Sequence, residues 1–185
     1  MSLINRFFHN SQINEDEIKY TTVRTLDLTD EEIQECPELF GTFYGKYNSD
    51  SPIRPQGQIK MPARIYKENY CRPNFYVALA KDKEKLIGHA FYLRKNYENY
   101  GMMNWVLQLV VERNYRRRGI ASTLLRSIWG FFDDFAWGLA TTNPCTIKTL
   151  ESATFRKFKP AVVRNHMDAI RLIQESLKSV PVNSK

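Results

Sequence analysis

The feature that most constrains this chain is an apolar run that meets a cluster of arginines and continues as an amphipathic helix. Residues 103–111 are apolar and β-branched towards their end, which predicts a buried strand. Arg116, Arg117, Arg118 and Gly119 follow. Beyond them Ile120, Leu124 and Ile128 recur every four residues, with Leu125 and Trp129 beside them, the pattern of a helix with a broad apolar face. A strand that leads through a short turn into such a helix predicts an α/β or α+β domain, because the helix must bury its stripe against a sheet.

The charge of the turn carries a functional expectation. A helix N-terminus presents four unpaired amide donors and about half a positive charge. Stability alone favours Asp or Glu there, and each cation placed instead costs roughly 0.3–1 kcal/mol. Three adjacent arginines make sense if an anion occupies the turn. Gly119 removes a side chain that would block close approach, Ala121 keeps the first helical turn slim, and Ser122 adds a hydroxyl donor. This is the chemistry of a phosphate site. On charge alone, a solvated surface with the arginines pointing away from the dipole explains the turn about as well. A DNA-recognition helix explains it poorly, since a strand and not a partner helix precedes it.

The remaining chain reads as alternating elements. Residues 18–26 suit a first strand. Thr29 opens a helix with Glu32 three residues on, a capping box, and Ile33, Cys36, Leu39, Phe40 and Phe43 share one face. Pro37 is expected to kink that helix or to start a second one. Residues 48–57 form a loop, 61–70 a short helix, and 74–80 with 86–94 a hairpin about the polar turn 81–85. Residues 135–141 predict a further strand. Asn143 and Pro144 then open a helix as N-cap and first helical residue. Residues 155–163 are read as a strand, and Met167, Ile170, Ile173 and Leu177 as the buried face of a last helix, started by Asn165 and Asp168.

Composition sets outer limits. With 185 residues, 43% hydrophobic and 25% charged, the chain suits one globular domain. No apolar run approaches the ~20 residues needed to cross a bilayer, and the first ten residues lack the pattern of a signal peptide, so a cytoplasmic location without membrane contact is expected. Cys36, Cys71 and Cys145 are too scattered for a disulfide framework or a zinc site, and no metal is expected. The net charge of +7 fits a protein that handles an anion but does not name nucleic acid as the partner.

The stretch from Leu109 to Ala121 resembles the signature of the GNAT superfamily of N-acetyltransferases, in which Arg or Gln, two residues, Gly, one residue, then Gly or Ala lie between a strand and a helix. Arg116, Gly119 and Ala121 match that pattern. The run from Ile87 to Phe91 is similar to the family's preceding strand, and Thr142, Asn143 and Pro144 to its later cofactor-side segment. The resemblance implies a single mixed sheet, splayed at the cofactor strand, with helices on both faces. It divides the chain into an N-terminal extension (1–16), an acetyltransferase domain (17–164) and an additional C-terminal helix and tail (165–185), frayed from Pro181.

It also implies a cosubstrate, acetyl-CoA, and a primary-amine acceptor, either a small molecule or a protein; a homodimer is left open. The main chains of Leu109 and Val111 would pair with the pantetheine arm. The turn from Arg116 through Arg117, Arg118, Gly119, Ile120 and Ala121 to Ser122 would hold the pyrophosphate, and Asn143 would approach the arm from the opposite side. An amide near Val110 or Val111 would polarise the thioester carbonyl. Two positions depart from the family: Leu150 stands where a Tyr often protonates the leaving thiolate, and Thr154 where a Gly is usual. His89, Tyr97, Tyr100 and Glu112 are the remaining groups of proton-transfer type, each with an ordinary structural reading beside it, and no catalytic residue is assigned. The alternative to an enzyme is an acyl-CoA-binding or interaction module with little or no turnover. Acceptor specificity is expected to lie in residues 29–70 and 95–102.

Overall fold

A computed structural model describes residues 18–129, 135–141 and 143–178 of the chain. The expected extension 1–16, Thr142 and the tail from Pro181 lie outside the described residues. Five strands form one sheet in sequential order: β1 (Lys19–Arg24), β2 (Phe75–Asp82), β3 (Lys85–Tyr97), β4 (Gly101–Val111) and β5 (Ala136–Leu139). The first four run antiparallel, and β5 joins β4 in parallel. A parallel neighbour requires a long crossover, and the amphipathic segment after β4 supplies it as α3 (Ile120–Ile128). The predicted α/β class with a mixed sheet is what the chain adopts.

Helices cover both faces. On one, α1 (Asp30–Phe43) and α2 (Ala63–Tyr70) pack Ile33, Cys36, Leu39, Phe40 and Tyr66 against Val77, Leu79, Phe91 and Val110. On the other, α3 and α4 (Pro144–Thr154) pack Ile120, Leu124, Leu125, Ile128 and Ala153 against Ala78, Ile87, Ala90, Val106 and Val111. The strands alternate between these two cores, as a pleated sheet buried on both sides must. The start of α1 follows the sequence closely: Thr29 accepts from the Glu32 amide and the Glu32 carboxylate accepts from the Thr29 amide. The Asn143 carboxamide oxygen caps α4 by accepting from the Cys145 amide at 2.9 Å, with Pro144 at the first helical position.

One alternative falls away and two expectations change. Pro37 does not begin a second helix, since α1 continues through it as one element with Pro37 buried in its packed face. Tertiary burial outweighs the lost hydrogen bond there. Residues 155–163 contain no strand: Phe155 ends α4 in a left-handed conformation at φ 54°, and a short helix, α5 (Pro160–Asn165), follows. Asn165 therefore closes α5 and does not open the last helix, α6 (Met167–Lys178). That helix packs Ala169 and Ile173 against Tyr97 and Met103 at the β3–β4 turn. A short helix thus stands where a strand was expected at 155–163, the last helix follows as expected, and among the described residues β5 is a sheet edge.

Candidate active site

β4 carries an irregularity at its centre. Phe91 of β3 faces Gln108, but the next residue, Tyr92, faces Val106, so Leu107 is an extra residue in β4. Such a bulge bends the strand and increases its twist. The parallel pairing with β5 runs only from Met103 to Val106 and stops just before the bulge. Gly138 permits the close seating of β5, since a Cβ there would lie 2.7 Å from the Trp105 ring. From Leu107 to Val111 the outer edge of β4 has no strand beside it among the described residues. The expected splay is thus present, with its apex at Val106.

Which main-chain groups face this open edge follows from the antiparallel ladder. The Glu112 amide donates to the Ile87 carbonyl at 2.8 Å, so residue 112 points towards β3. Alternation along β4 then directs residues 110 and 108 to β3, and 111 and 109 to the open edge. Of the two amides considered for carbonyl polarisation, Val110 is committed to the ladder and Val111 is not. The Val111 carbonyl accepts from Arg116 Nε at 2.9 Å, which leaves its amide and both groups of Leu109 facing the gap.

The basic turn follows at once. Arg117 and Gly119 both adopt left-handed conformations, at φ 61° and 82°, and turn the chain sharply into α3. Gly119 is the N-cap of α3, no side chain caps that helix, and its first turn holds no acid. The amides of Ile120, Ala121 and Ser122 therefore open the helix with no intrahelical acceptor. A Cβ built on Gly119 would meet nothing within 4 Å, so the glycine answers to its backbone conformation and borders open space.

The three arginines divide their roles. Arg116 also donates to the carbonyl of Phe43, the last residue of α1, and so ties the end of β4 to a helix C-terminus, where a cation is favourable. The guanidinium of Arg118 lies over the Tyr115 ring, 5.3 Å from its centroid, and Tyr115 itself donates to Asp82 at 2.6 Å. Arg117, like the other two, is exposed. The charge of all three surrounds the turn whatever their contacts.

The candidate proton-transfer groups are less free. His89 is fully buried under α2, its Nε2 3.2 Å from Tyr66 Oη, and its Nδ1 has no hydrogen-bond partner. Burial pushes its pKa down to about 3, which makes it a neutral core histidine. Tyr97 is buried against α6, its hydroxyl 2.9 Å from Ser176 Oγ. Tyr100 packs on the Phe135 ring. Glu112 pairs with Lys85 at 2.8 Å, on the wall of a cavity of about 290 Å³ that it shares with Glu35 and Glu38. Leu150 packs against the α3 core and Thr154 donates to its carbonyl. A larger cavity of about 320 Å³, among Asn74, Leu93, Lys95 and Ser176, is lined by none of the predicted site residues. The Gln108 carboxamide, which the sequence did not single out, sits beside the bulge in the network described below; no local motif marks it.

A strand splayed at a central bulge, followed by a glycine-containing basic turn at an uncapped helix, is the architecture of an acetyltransferase fold. The sequence matches the Acetyltransferase (GNAT) family over residues 33–138, more than half of the chain, and the protein belongs to that family. No curated protein matches the chain. Similar solved structures include the aminoglycoside acetyltransferase meta-AAC0020 from an uncultured soil metagenomic sample, in complex with sisomicin. It has 16% identity and a TM-score of 0.57, with 77% of this chain and 91% of that one covered. AAC(6')-Iy in complex with a CoA bisubstrate analogue gives 14% identity and a TM-score of 0.54 over 77% and 93%. A GNAT family acetyltransferase of Streptococcus pneumoniae gives 18% and 0.53 over 76% and 88%. The protein is a GNAT-type N-acetyltransferase by family and fold, and no helix among the described residues is long and apolar enough to cross a membrane.

Proposed function

We propose that the protein transfers an acetyl group from acetyl-CoA to a primary amine, with the cosubstrate seated along the open edge of β4. The observation that carries this reading is the coincidence of the free strand edge with the uncapped basic turn that follows it. In this reading the Leu109 and Val111 main chains pair with the pantetheine arm as an added strand would. The amides from Arg117 to Ser122 hold the pyrophosphate at the start of α3, within the field of Arg116, Arg117 and Arg118. Asn143 belongs to the far wall, with its carboxamide oxygen held in the α4 cap and its NH2 left to reach the arm.

In this reading the Val111 amide, which faces the open edge where that of Val110 does not, serves the thioester carbonyl at the end of the arm, and Leu109 supplies the remaining main-chain pairing. The attacking amine must lose a proton and the departing thiolate must gain one. Leu150 can supply neither, and His89 is buried away from solvent as a neutral imidazole. We therefore assign both transfers to water in the open cleft.

A thermal-shift titration with acetyl-CoA tests the cosubstrate. Ligand at a hundredfold above its dissociation constant adds about 2.7 kcal/mol, which raises Tm by roughly 5–10 °C for a domain of this size. No shift at millimolar ligand rejects the assignment. Release of free thiol with a panel of primary amines then separates turnover from binding alone. The panel should include aminoglycosides, because structural neighbours with that acceptor class share the fold.

A further inference from the structure

The bulge in β4 is held by a buried hydrogen-bonded chain that acetyl transfer as outlined above does not use. Gln108, the first residue after the bulge, is 3% exposed. Its Oε1 accepts from Tyr66 Oη at 2.9 Å and its Nε2 donates to Tyr70 Oη at 3.0 Å. Both tyrosines belong to α2, and both are buried. Because the single Tyr66 hydroxyl proton goes to Gln108, the contact between Tyr66 and His89 is made by His89 Nε2 as donor, which leaves Nδ1 as the bare acceptor. The chain runs from His89 on β3, through Tyr66 on α2 and Gln108 on β4, back to Tyr70 on α2.

An apolar side chain of the same size would fill this position without needing partners, so packing alone does not explain a carboxamide. What the carboxamide adds is register. A bulge can move along a strand, and each one-residue step reverses which face a side chain takes and which edge its main chain serves. If the extra residue were 108 in place of Leu107, Gln108 would lose its place in the ladder opposite Phe91 and both bonds to α2. The bonds therefore favour the bulge at Leu107 alone. The bulge directly follows the last residue paired with β5, Val106, and without it a register held at Tyr92 opposite Val106 would turn Leu109 and Val111 away from the open edge and towards β3.

The geometry points to Gln108 as a positioning residue, which locks the bulge of β4 through Tyr66 and Tyr70 and so aims the strand edge that receives the arm of the cosubstrate. It rests on the acetyl-CoA reading, but its first test needs no ligand. Gln108→Met keeps the volume and removes both bonds. Hydrogen exchange of the ladder-bonded amides within 106–109, that of Gln108 first among them, should then quicken tenfold or more, with those of α3 and β2 changed less than twofold. A uniform rise across the sheet, or no rise at 106–109, overturns the proposal.

Binding supplies the second arm. ADP carries a pyrophosphate for the turn and no pantetheine arm, so its affinity should stay within twofold in the variant, whereas affinity for acetyl-CoA should fall about tenfold. Equal loss of both, or loss of neither, overturns the positioning role. If the unaltered protein binds no acetyl-CoA, the functional reading fails, and the exchange experiment alone decides whether Gln108 fixes the bulge. Tyr66→Phe, which deletes only the hydroxyl that Gln108 accepts from, should move both readouts in the same direction and serves if Gln108→Met does not fold.

Discussion

Gly119 and His89 show how differently single residues answer to the fold. The glycine was legible in the sequence as part of a phosphate-type turn, but its reason is conformational. At φ 82° an L-residue is strained, and open space, not a crowded wall, lies beyond its missing Cβ. Gly119→Ala should therefore destabilise the protein by about 1 kcal/mol, seen as a fall in Tm of roughly 2–4 °C, and should weaken coenzyme A binding as well. An unchanged Tm would show that the turn does not hold its left-handed form in solution. His89 was one of several proton-transfer candidates, and a strand histidine is ambiguous in sequence because either face of the strand can be buried. Only the placement of α2 over that face makes it a core residue.

At the level of elements, caps and periodic stripes were readable and residues 155–165 were not. The Thr29–Glu32 box and the Asn143–Pro144 start involve residues a few positions apart, so the local sequence suffices to define them. Residues 155–163 read as a strand in the sequence. Phe155 instead ends α4 in a left-handed turn, fully out in solvent at 86% exposure. A strand there would have needed a partner edge, and the chain places helices in its stead. α6 closes the β3–β4 end of the sheet, with Ile173 at 3% exposure against the cluster of Tyr97 and Met103. Ile173→Ala should cost about 3 kcal/mol in urea unfolding. A loss below about 0.5 kcal/mol, the range of surface substitutions, would mean that α6 does not dock there in solution.

For the whole molecule, the buried imidazole makes stability depend on pH. His89 has a folded pKa of about 3 against an ordinary 6.5, because burial disfavours its charged form. Between these values the unfolded chain binds a proton that the folded chain rejects. Its contribution therefore rises with pH across that window and is level above 6.5, with a slope of up to about 1.4 kcal/mol per pH unit. Carboxylates titrate in the same range, so the measurement is a difference: unfolding free energy from pH 4 to 7 for the protein and for His89→Asn. Parallel curves would place His89 in contact with water.

The sequence by itself determined the family, the mixed α/β class and the location of the basic turn, because strand alternation, helical periodicity and capping act over a few residues. Arg116, Gly119 and Ala121 stood out for the same reason. Tertiary structure decided the rest: where β4 leaves β5, which of Val110 and Val111 faces the gap, and that Arg116 binds carbonyls of β4 and α1. Each of these depends on a register or a contact between segments far apart in the chain, and a one-residue slip, invisible in composition or periodicity, would reverse it.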